Sequence, residues 1–219
     1  MSRKKLVRFK ENEYNPNVVQ EGKAIFEEVK GNWNSKQFQN DKPLVVELAC
    51  GRGEFTVGLA RVFPDQNFIG VDIKGSRIWK GSSTATAEGI ENVAFLRTQI
   101  QLLEKFFAPE EISELWITFP DPFPRDGDEK RRLTSPKFLE MYKTLVKKDG
   151  IIHFKTDNTG LFDYSLELVQ SREDIEVIGF THDFYQSEWK DDHFGIQTRY
   201  EKMFSEKGEK IKYMKIKFV

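Results

Sequence analysis

The sequence contains only one cysteine, Cys50, in 219 residues, which excludes a framework of disulfide bonds within the chain. This composition fits a reducing compartment, and we expect a cytoplasmic protein. No apolar run approaches the ~18 residues that a membrane-spanning helix requires, and no signal-peptide pattern precedes the charged N-terminal residues. The three histidines lack metal-ligand spacing. We therefore expect neither a membrane anchor nor a bound metal.

An excess of charge of either sign is also missing. The formal net charge is −1 although 32% of the residues are charged, which excludes a uniformly basic protein that binds any polyanion. Basic residues nevertheless form three patches, namely the first ten residues, the triplet Lys130-Arg131-Arg132 and the lysines between residues 207 and 217. Such patches on a neutral body are typical of nucleic-acid binding. Solubilising tails are the open alternative.

Segments with the character of strands and helices alternate along most of the chain. Strand-like apolar segments occupy Leu44–Ala49, Asn67–Ile73, Val93–Arg97, Leu115–Phe119, Ile151–Lys155, Ile175–Phe180 and Ile211–Phe218. Helical periodicity fills most of the gaps, which predicts an α/β fold with a doubly wound, mostly parallel sheet. Only an irregular segment at Phe184–Thr198 separates the last two strands, so we expect them to form an antiparallel edge.

Residues 1–42 have a different composition. They are polar apart from one amphipathic stretch, Val18–Val29. We interpret them as a basic N-terminal arm with a short helix that lies outside the core. Residues 43–219 then form the main domain, which at this length has room for a sizeable core.

The first predicted strand leads into a turn with two glycines, Gly51 and Gly53, where a ligand can approach the backbone closely. Asp72 ends the next strand, where a carboxylate can accept hydrogen bonds from ribose hydroxyls. Thr56 replaces the third glycine of the dinucleotide fingerprint. Glu47 precedes the turn and would repel a pyrophosphate but attract an ammonium or sulfonium group. The pattern favours S-adenosylmethionine over NAD, with a strand-end acid bonded to loop amides as the alternative.

A second motif places an acid between two prolines at the end of a predicted strand. Pro120 and Pro122 keep Asp121 out of helix and sheet, because proline fixes φ and lacks an N–H group. The carboxylate is thus presented at the carboxyl end of a strand, where open α/β sheets bind ligands. Phe123 and a basic triplet follow, which suits a flipped base with phosphates beside it. A proline-rich turn with a capping aspartate is the alternative.

With these motifs, the chain resembles the bacterial single-subunit tRNA (guanine-N7-)-methyltransferase family from about residue 40 to the C-terminus. The resemblance rests on the segments Glu47–Gly53, Phe68–Asp72, Phe119–Pro124, Lys130–Leu133, Phe154–Asn158 and Thr198–Lys202. It implies a Rossmann-like class I methyltransferase that depends on S-adenosylmethionine. The implied reaction is methylation of guanine N7 in tRNA, usually at position 46 of the variable region. A monomer or a homodimer is expected.

The resemblance also implies roles for single residues. The implied cofactor-binding residues are Glu47, Gly51, Asp72, Gln99 and Asp121, and Asp121 is also the implied catalytic residue. The implied tRNA-binding residues are Arg125, Asp157, Thr198, Arg199, Tyr200 and Glu201. Three features depart from the family: Gln99 replaces an acid, Arg125 replaces a lysine, and residues 126–129 form an acidic loop where the family has a basic one. We expect the Gln99 carbonyl to accept from an adenine amino group all the same.

The chemistry of guanine N7 is consistent with these residues. N7 carries an in-plane lone pair and no proton, so methyl transfer needs positioning and electrostatic stabilisation and no strong general base. Asp121 and Asp157 follow neighbouring predicted strands, and their carboxylates can converge on the N1–H and N2–H₂ donors of one guanine.

Two other classes of function remain open. One is an S-adenosylmethionine enzyme that acts on another RNA, on a protein or on a small molecule. The other is an RNA-binding module without catalysis. A dehydrogenase is disfavoured by Glu47 and by the missing third glycine.

Overall fold

The computed structural model describes residues 3–219, with side chains from residue 5 onward. Within these residues, eight strands form one sheet. They are β1 (Val18–Val19), β2 (Leu44–Leu48), β3 (Asn67–Asp72), β4 (Val93–Arg97), β5 (Ile112–Thr118), β6 (Val146–Thr156), β7 (Ile175–Thr181) and β8 (Lys212–Phe218). The side chains of Arg3 and Lys4, part of the predicted N-terminal basic patch, lie outside the described residues.

The strand order is β1-β4-β3-β2-β5-β6-β8-β7. Every pair from β1 to β6 is parallel, whereas β8 runs antiparallel to both β6 and β7. The predicted α/β fold with a mostly parallel sheet and antiparallel pairing at one edge is confirmed. Within that edge, β8 lies one strand inside and β7 is outermost.

Seven α-helices surround the sheet in the described part of the chain. They are α1 (Arg3–Tyr14), α2 (Ile25–Glu28), α3 (Glu54–Val62), α4 (Gly75–Glu88), α5 (Pro136–Leu145), α6 (Thr159–Gln170) and α7 (Arg199–Glu206). Short 3₁₀ turns occupy Ile100–Lys105, Asp126–Arg131, Phe184–Gln186 and Lys190–His193, and a π-helical turn occupies Trp33–Phe38. No helix among these residues is both long and apolar enough to cross a membrane.

The pleat of the strands divides the core into two layers. Successive side chains point to opposite faces, so Val46 and Leu48 of β2 join one apolar cluster and Val45 joins the other. The first cluster lies under α5 and α6 and includes Leu139 and Leu166. The second lies under α3 and α4 and under the segment from residue 184 onward. Both faces are therefore covered, as a doubly wound sheet requires.

The direction of winding reverses between β2 and β5. β3 and β4 extend the sheet on one side of β2, whereas β5 and β6 extend it on the other. In open α/β sheets, ligands bind outside the carboxyl ends of the strands at such a switch point. The glycine turn follows β2 and the Pro120-Asp121-Pro122 segment follows β5, so the fold brings both motifs to this point.

The N-terminal segment does not lie outside the core, so that expectation is wrong. Val18 and Val19 are fully buried and pair in parallel with β4, which the sheet would otherwise leave as an open edge. Trp33 is also fully buried, and its Nε1 donates to the Phe106 carbonyl at 2.8 Å. A few apolar residues in a polar segment suffice to cover the sheet edge, because each of them is completely removed from water.

The sequence pattern also did not predict helix α7, because it showed no clear helix between the last two strands. Apart from Tyr200, Met203 and Phe204, its residues are polar or charged. The helix begins at a capping residue, since the Thr198 hydroxyl accepts from the Glu201 amide at 3.0 Å. The buried residue of this helix is Glu201, which is charged. A pattern of apolar residues therefore does not reveal the helix.

Candidate active site

The glycine turn after β2 is held by a carboxylate from the end of β3. The Gly51 amide donates to Asp72 Oδ2 at 3.0 Å, and the Lys74 amide donates to Oδ1 at 2.7 Å. Gly51 has a φ of 56° and Ala49 a φ of 57°, a left-handed region in which a residue other than glycine is strained. Each Asp72 oxygen has a second lone pair for a ligand. Asp72 therefore shapes the turn and can still accept from hydroxyl groups.

Glu47 is a nearly buried carboxylate, with 3% of its surface exposed. Thr118 Oγ1 donates to its Oε1 at 2.5 Å, and Thr56 Oγ1 donates to its Oε2. Burial raises the pKa of Glu47, and these two hydrogen bonds act in the opposite direction. Neither partner carries a charge, and the Lys155 ammonium lies near enough to interact electrostatically with the Glu47 carboxylate. Thr56, which replaces the third glycine, thus anchors the acid that disfavours NAD.

Two adjoining cavities lie at the switch point. The first, of about 570 Å³, is lined by Asp72 and Gln99. The second, of about 510 Å³, is lined by Glu47 and Thr198. Residues common to the two linings are Ala49, Arg77, Phe119 and Asp121. Asp121 therefore lies at the junction of the two cavities, where a group held in one would meet a group held in the other.

A larger groove, of about 950 Å³, runs outward between α3, α4 and α7 and contains none of the predicted cofactor-binding residues.

The segment that carries Asp121 has an unexpected backbone. A residue before proline favours an extended conformation, yet Phe119 has a φ of 49°. Its amide donates to the Lys155 carbonyl of β6 at 2.8 Å, and its ring lies 5.4 Å from that of Tyr200. Strain of this kind costs about 1–3 kcal/mol and persists only where surrounding contacts impose it. The contacts with β6 and α7 thus set the direction in which Asp121 leaves the sheet.

Three predicted tRNA-binding residues lie at the start of α7. Thr198, Arg199 and Tyr200 line the second cavity together with Asp121. Burial raises the pKa of the Tyr200 hydroxyl, as do the charges of Asp157 and Asp121, so both carboxylates lie near it. Asp157 itself lines neither cavity, and burial raises its pKa. Tyr200 thus links the two acids expected to converge on one base.

Of the other predicted residues, Glu201 and Arg125 do not reach the two cavities, whereas Gln99 does. Glu201 is fully buried, and its Oε1 accepts from Lys155 Nζ and from the Tyr185 hydroxyl, each at 2.6 Å. Arg125 is exposed and lines neither cavity. Gln99 does line the first cavity, where its Oε1 accepts from Gln101 at 2.6 Å.

Two residues of the basic triplet, Arg131 and Arg132, contact other side chains or carbonyl groups of the chain. Arg132 Nε donates to the Phe123 carbonyl at 3.1 Å, and its guanidinium lies 4.3 Å from the ring centre of Tyr164. The Tyr164 hydroxyl donates to Glu129 at 2.7 Å. Glu129 belongs to the loop whose acidity departs from the family. Its carboxylate ties this loop to α6, which gives the departure a structural role.

Some of the remaining cationic side chains form ion pairs within the chain, and others do not. Arg131 forms an ion pair with Asp128 at 3.0 Å, whereas Lys130 is exposed and has no ion pair among the described side chains. The cations that line the first cavity are Lys74, Arg77, Lys130, Arg131 and Lys137. The lysines of the C-terminal patch are mostly engaged, as in the pairs Lys215–Asp192 and Lys217–Glu176. Among the cations that line the first cavity, only Arg131 has an ion pair within the described side chains. Cations without one also line the groove between α3, α4 and α7, among them Lys80 and Lys202.

Cys50 is buried beside this site. Burial raises the pKa of its thiol well above the ordinary value, and the charges of Glu47 and Asp72 act in the same direction. A protonated, buried thiol is a poor nucleophile, so Cys50 is a small core residue. Within residues 3–219, no group of His, Cys, Asp and Glu side chains has the arrangement of a metal site.

Known proteins of similar sequence and fold identify the family of this chain. A family model described as "Putative methyltransferase" matches residues 41–214. The curated tRNA (guanine-N(7)-)-methyltransferase of Cytophaga hutchinsonii is 47% identical over 220 residues, covering 100% of this chain and 99% of that protein. That of Christiangramia forsetii is 49% identical over 222 residues, covering 99% and 98%. The crystal structure of the 16S rRNA methyltransferase KamB shares the fold, with a TM-score of 0.63 at 14% identity over 90% of this chain and 94% of that one.

Fold and sequence together define a Rossmann-like class I methyltransferase. More narrowly, the chain belongs to the tRNA (guanine-N(7)-)-methyltransferase family. The resemblance and the enzyme class predicted from the sequence are thereby confirmed.

Glu47→Gln should weaken binding of S-adenosylmethionine by about 10-fold or more, because a hydrogen bond to a charged group contributes roughly 1.5–3 kcal/mol. Asp72→Ala should weaken binding similarly and loosen the turn at Gly51. Titration calorimetry measures both affinities. Glu88→Gln, which removes an exposed carboxylate paired with Arg61, is the control and should bind normally. Unchanged affinity in both site variants would place the cofactor elsewhere.

Proposed function

We propose that this protein transfers the methyl group of S-adenosylmethionine to N7 of a guanine in tRNA, with position 46 of the variable region as the expected target. The observation that carries the proposal is the location of Asp121 at the junction of the two cavities. One cavity has the groups that suit an adenosine, and the other has groups that suit a cationic amino acid and a base. Methyl transfer requires that donor and acceptor meet at one point, and Asp121 lies there.

The residues of the two cavities fit the proposed cofactor. Asp72 can accept from the ribose hydroxyls and Gln99 from the adenine amino group, while Glu47 pairs with the ammonium of the methionine part. The cofactor is a cation, and the side chains nearest its proposed position are acids with neutral hydrogen-bond partners, as Glu47 shows. S-adenosylmethionine supplies an electrophilic methyl group when it is bound.

The target base is proposed to enter the second cavity. Asp121 lines this cavity, whereas Asp157 lies outside its lining, near Tyr200. Both carboxylates are proposed to accept from the N1–H and N2–H₂ groups of guanine, and adenine lacks this pair of donors. Tyr200 is 43% exposed and provides an aromatic face beside them. Positive charge moves to the purine ring as N7 is methylated, so a preorganised carboxylate stabilises the developing charge. No group has to remove a proton.

Cations beside the proposed cofactor site are proposed to bind the tRNA backbone. Lys74, Arg77 and Lys130 line the first cavity and carry the wrong charge for S-adenosylmethionine but the right charge for RNA phosphates. A tRNA whose target base enters the adjoining second cavity would bring phosphates close to these residues. The tRNA substrate is compatible with the cytoplasmic location expected from the composition.

One experiment tests the proposal. The wild-type protein is incubated with methyl-labelled S-adenosylmethionine and unmodified tRNA, and the RNA is digested to nucleosides. We expect label in 7-methylguanosine alone. Label in adenosine or cytidine, in another RNA class, or in protein would favour an enzyme with a different substrate. Binding of tRNA without any transfer would favour the non-catalytic RNA-binding module.

Asp121→Asn tests the catalytic assignment. The change keeps size and the double-proline geometry but removes the charge, and kcat should fall by about 10²-fold or more. Thermal stability should hold, because the side chain is exposed. Asparagine and aspartate cap turns about equally well. Turnover within a few-fold of the wild type would therefore leave Asp121 a turn residue.

Lys130→Gln and Arg132→Gln test which residue of the basic triplet contacts tRNA phosphates and which one stabilises the fold. Lys130→Gln should raise the KM for tRNA and lower the slope of log affinity against log salt by about 1, because one phosphate contact is lost. Arg132→Gln should mainly lower the thermal midpoint, because it removes the contacts with Phe123 and Tyr164. A stable Arg132 variant with the smaller salt slope would instead make Arg132 a phosphate ligand.

A further inference from the structure

A buried ion pair lies directly behind the cleft. Lys155 Nζ of β6 and Glu201 Oε1 of α7 are 2.6 Å apart, and their side chains are only 1% and 0% exposed. The Tyr185 hydroxyl donates to the same oxygen of Glu201. The other oxygen, Oε2, is buried and has no hydrogen-bond partner among the described residues. The pair is therefore fully withdrawn from water.

A buried ion pair of this kind contributes little net stability to a fold. Removing two charges from water costs free energy that their attraction often fails to recover, and well-packed apolar residues would serve as well or better. Burial lowers the pKa of Lys155, against the opposing influence of Glu201. The surroundings of the ammonium are aromatic, with the ring centres of Phe184 at 4.7 Å and Phe119 at 5.8 Å. Stability alone does not explain a charged pair here.

The pair joins the two segments that face each other across the second cavity. The Lys155 carbonyl accepts from the Phe119 amide, which fixes the turn into Pro120 and Asp121. The Glu201 amide donates to Thr198 Oγ1, which closes the first turn of α7. The ion pair connects these two residues through their side chains. The Asp121 loop and the start of α7 are thus tied to the same strand.

We propose that Lys155 and Glu201 are positioning residues for methyl transfer, whose ion pair holds Thr198 and Tyr200 opposite Asp121. Neither residue touches the substrate. This role rests on the proposed function, because it concerns the cleft that would receive the guanine. It replaces the role that the family resemblance implied for Glu201, that of a contact with tRNA. An ion pair fixes orientation more narrowly than apolar packing does, because its hydrogen bond has a preferred direction.

The test is the double variant Lys155→Met/Glu201→Leu. Both replacements approximately conserve volume and leave no unpaired charge, so the thermal midpoint should stay at or above that of the wild type. We expect kcat with tRNA to fall at least about 10-fold, because small displacements of positioning groups cost large factors in rate. Affinity for S-adenosylmethionine should stay within about two-fold. A stable double variant with wild-type kcat and KM would overturn the proposal.

A second variant covers the case in which the double variant does not fold. Tyr185→Phe removes one hydroxyl, which donates to Glu201 and accepts from Gln197 at 2.8 Å. The midpoint should change little, and turnover of tRNA should fall several-fold. Wild-type turnover in Tyr185→Phe would contradict the proposal.

The control is Asn67→Ala, which breaks a partly buried polar cluster with Asn34 and Asn40 at the opposite end of the sheet. It should lower stability without changing kcat. A loss of kcat in Asn67→Ala as large as in the double variant would show that general loosening explains the effect. The wild-type assay separates the two claims. No transfer to tRNA by the wild type would refute the proposed function, whereas normal transfer by both wild type and double variant would refute only the positioning role.

Discussion

The contact between Lys155 and Glu201 is the interaction on which the shape of the cleft depends. It lies where β6, the loop after β5 and the first turn of α7 meet. The Asp121 loop is strained at Phe119, and α7 is a short helix with a mostly polar sequence. Within α7 only Glu201 is buried, and the Asp121 side chain is exposed. Both segments are held by contacts with β6, an interior strand of the sheet.

Charged side chains of both signs line the two cavities. Glu47, Asp72 and Asp121 are the acids expected to face the cofactor and the base, whereas Lys74 and Lys130 of the first cavity have no ion pair among the described side chains. A cation and a polyanion can then approach one cleft without competing for the same side chains. The near-zero net charge of the chain hides this separation, which becomes visible only when the acids and the cations are located in space.

Much of the site followed from local sequence rules. Glu47 and Asp121 are both placed by an apolar strand that ends in a glycine or proline turn, and a parallel sheet brings such ends to one edge. What the local rules did not reveal depended on contacts distant in sequence. Glu201 matches a substrate-binding motif, but its burial follows from how α7 folds back onto Lys155. The left-handed Phe119 contradicts the local preference before proline, because its amide bonds to β6. Trp33 lies in the core because the sheet leaves apolar surface to cover.

Amide hydrogen exchange of Glu201→Gln tests most directly whether the ion pair holds the cleft together. The Glu201 amide donates to Thr198 Oγ1 and the Lys202 amide donates to the Thr198 carbonyl, each at 3.0 Å. The account predicts that these amides lose protection in the variant while amides of β2 and β5 keep theirs, because only the first turn of α7 is released. Unchanged protection at the start of α7 would contradict the account.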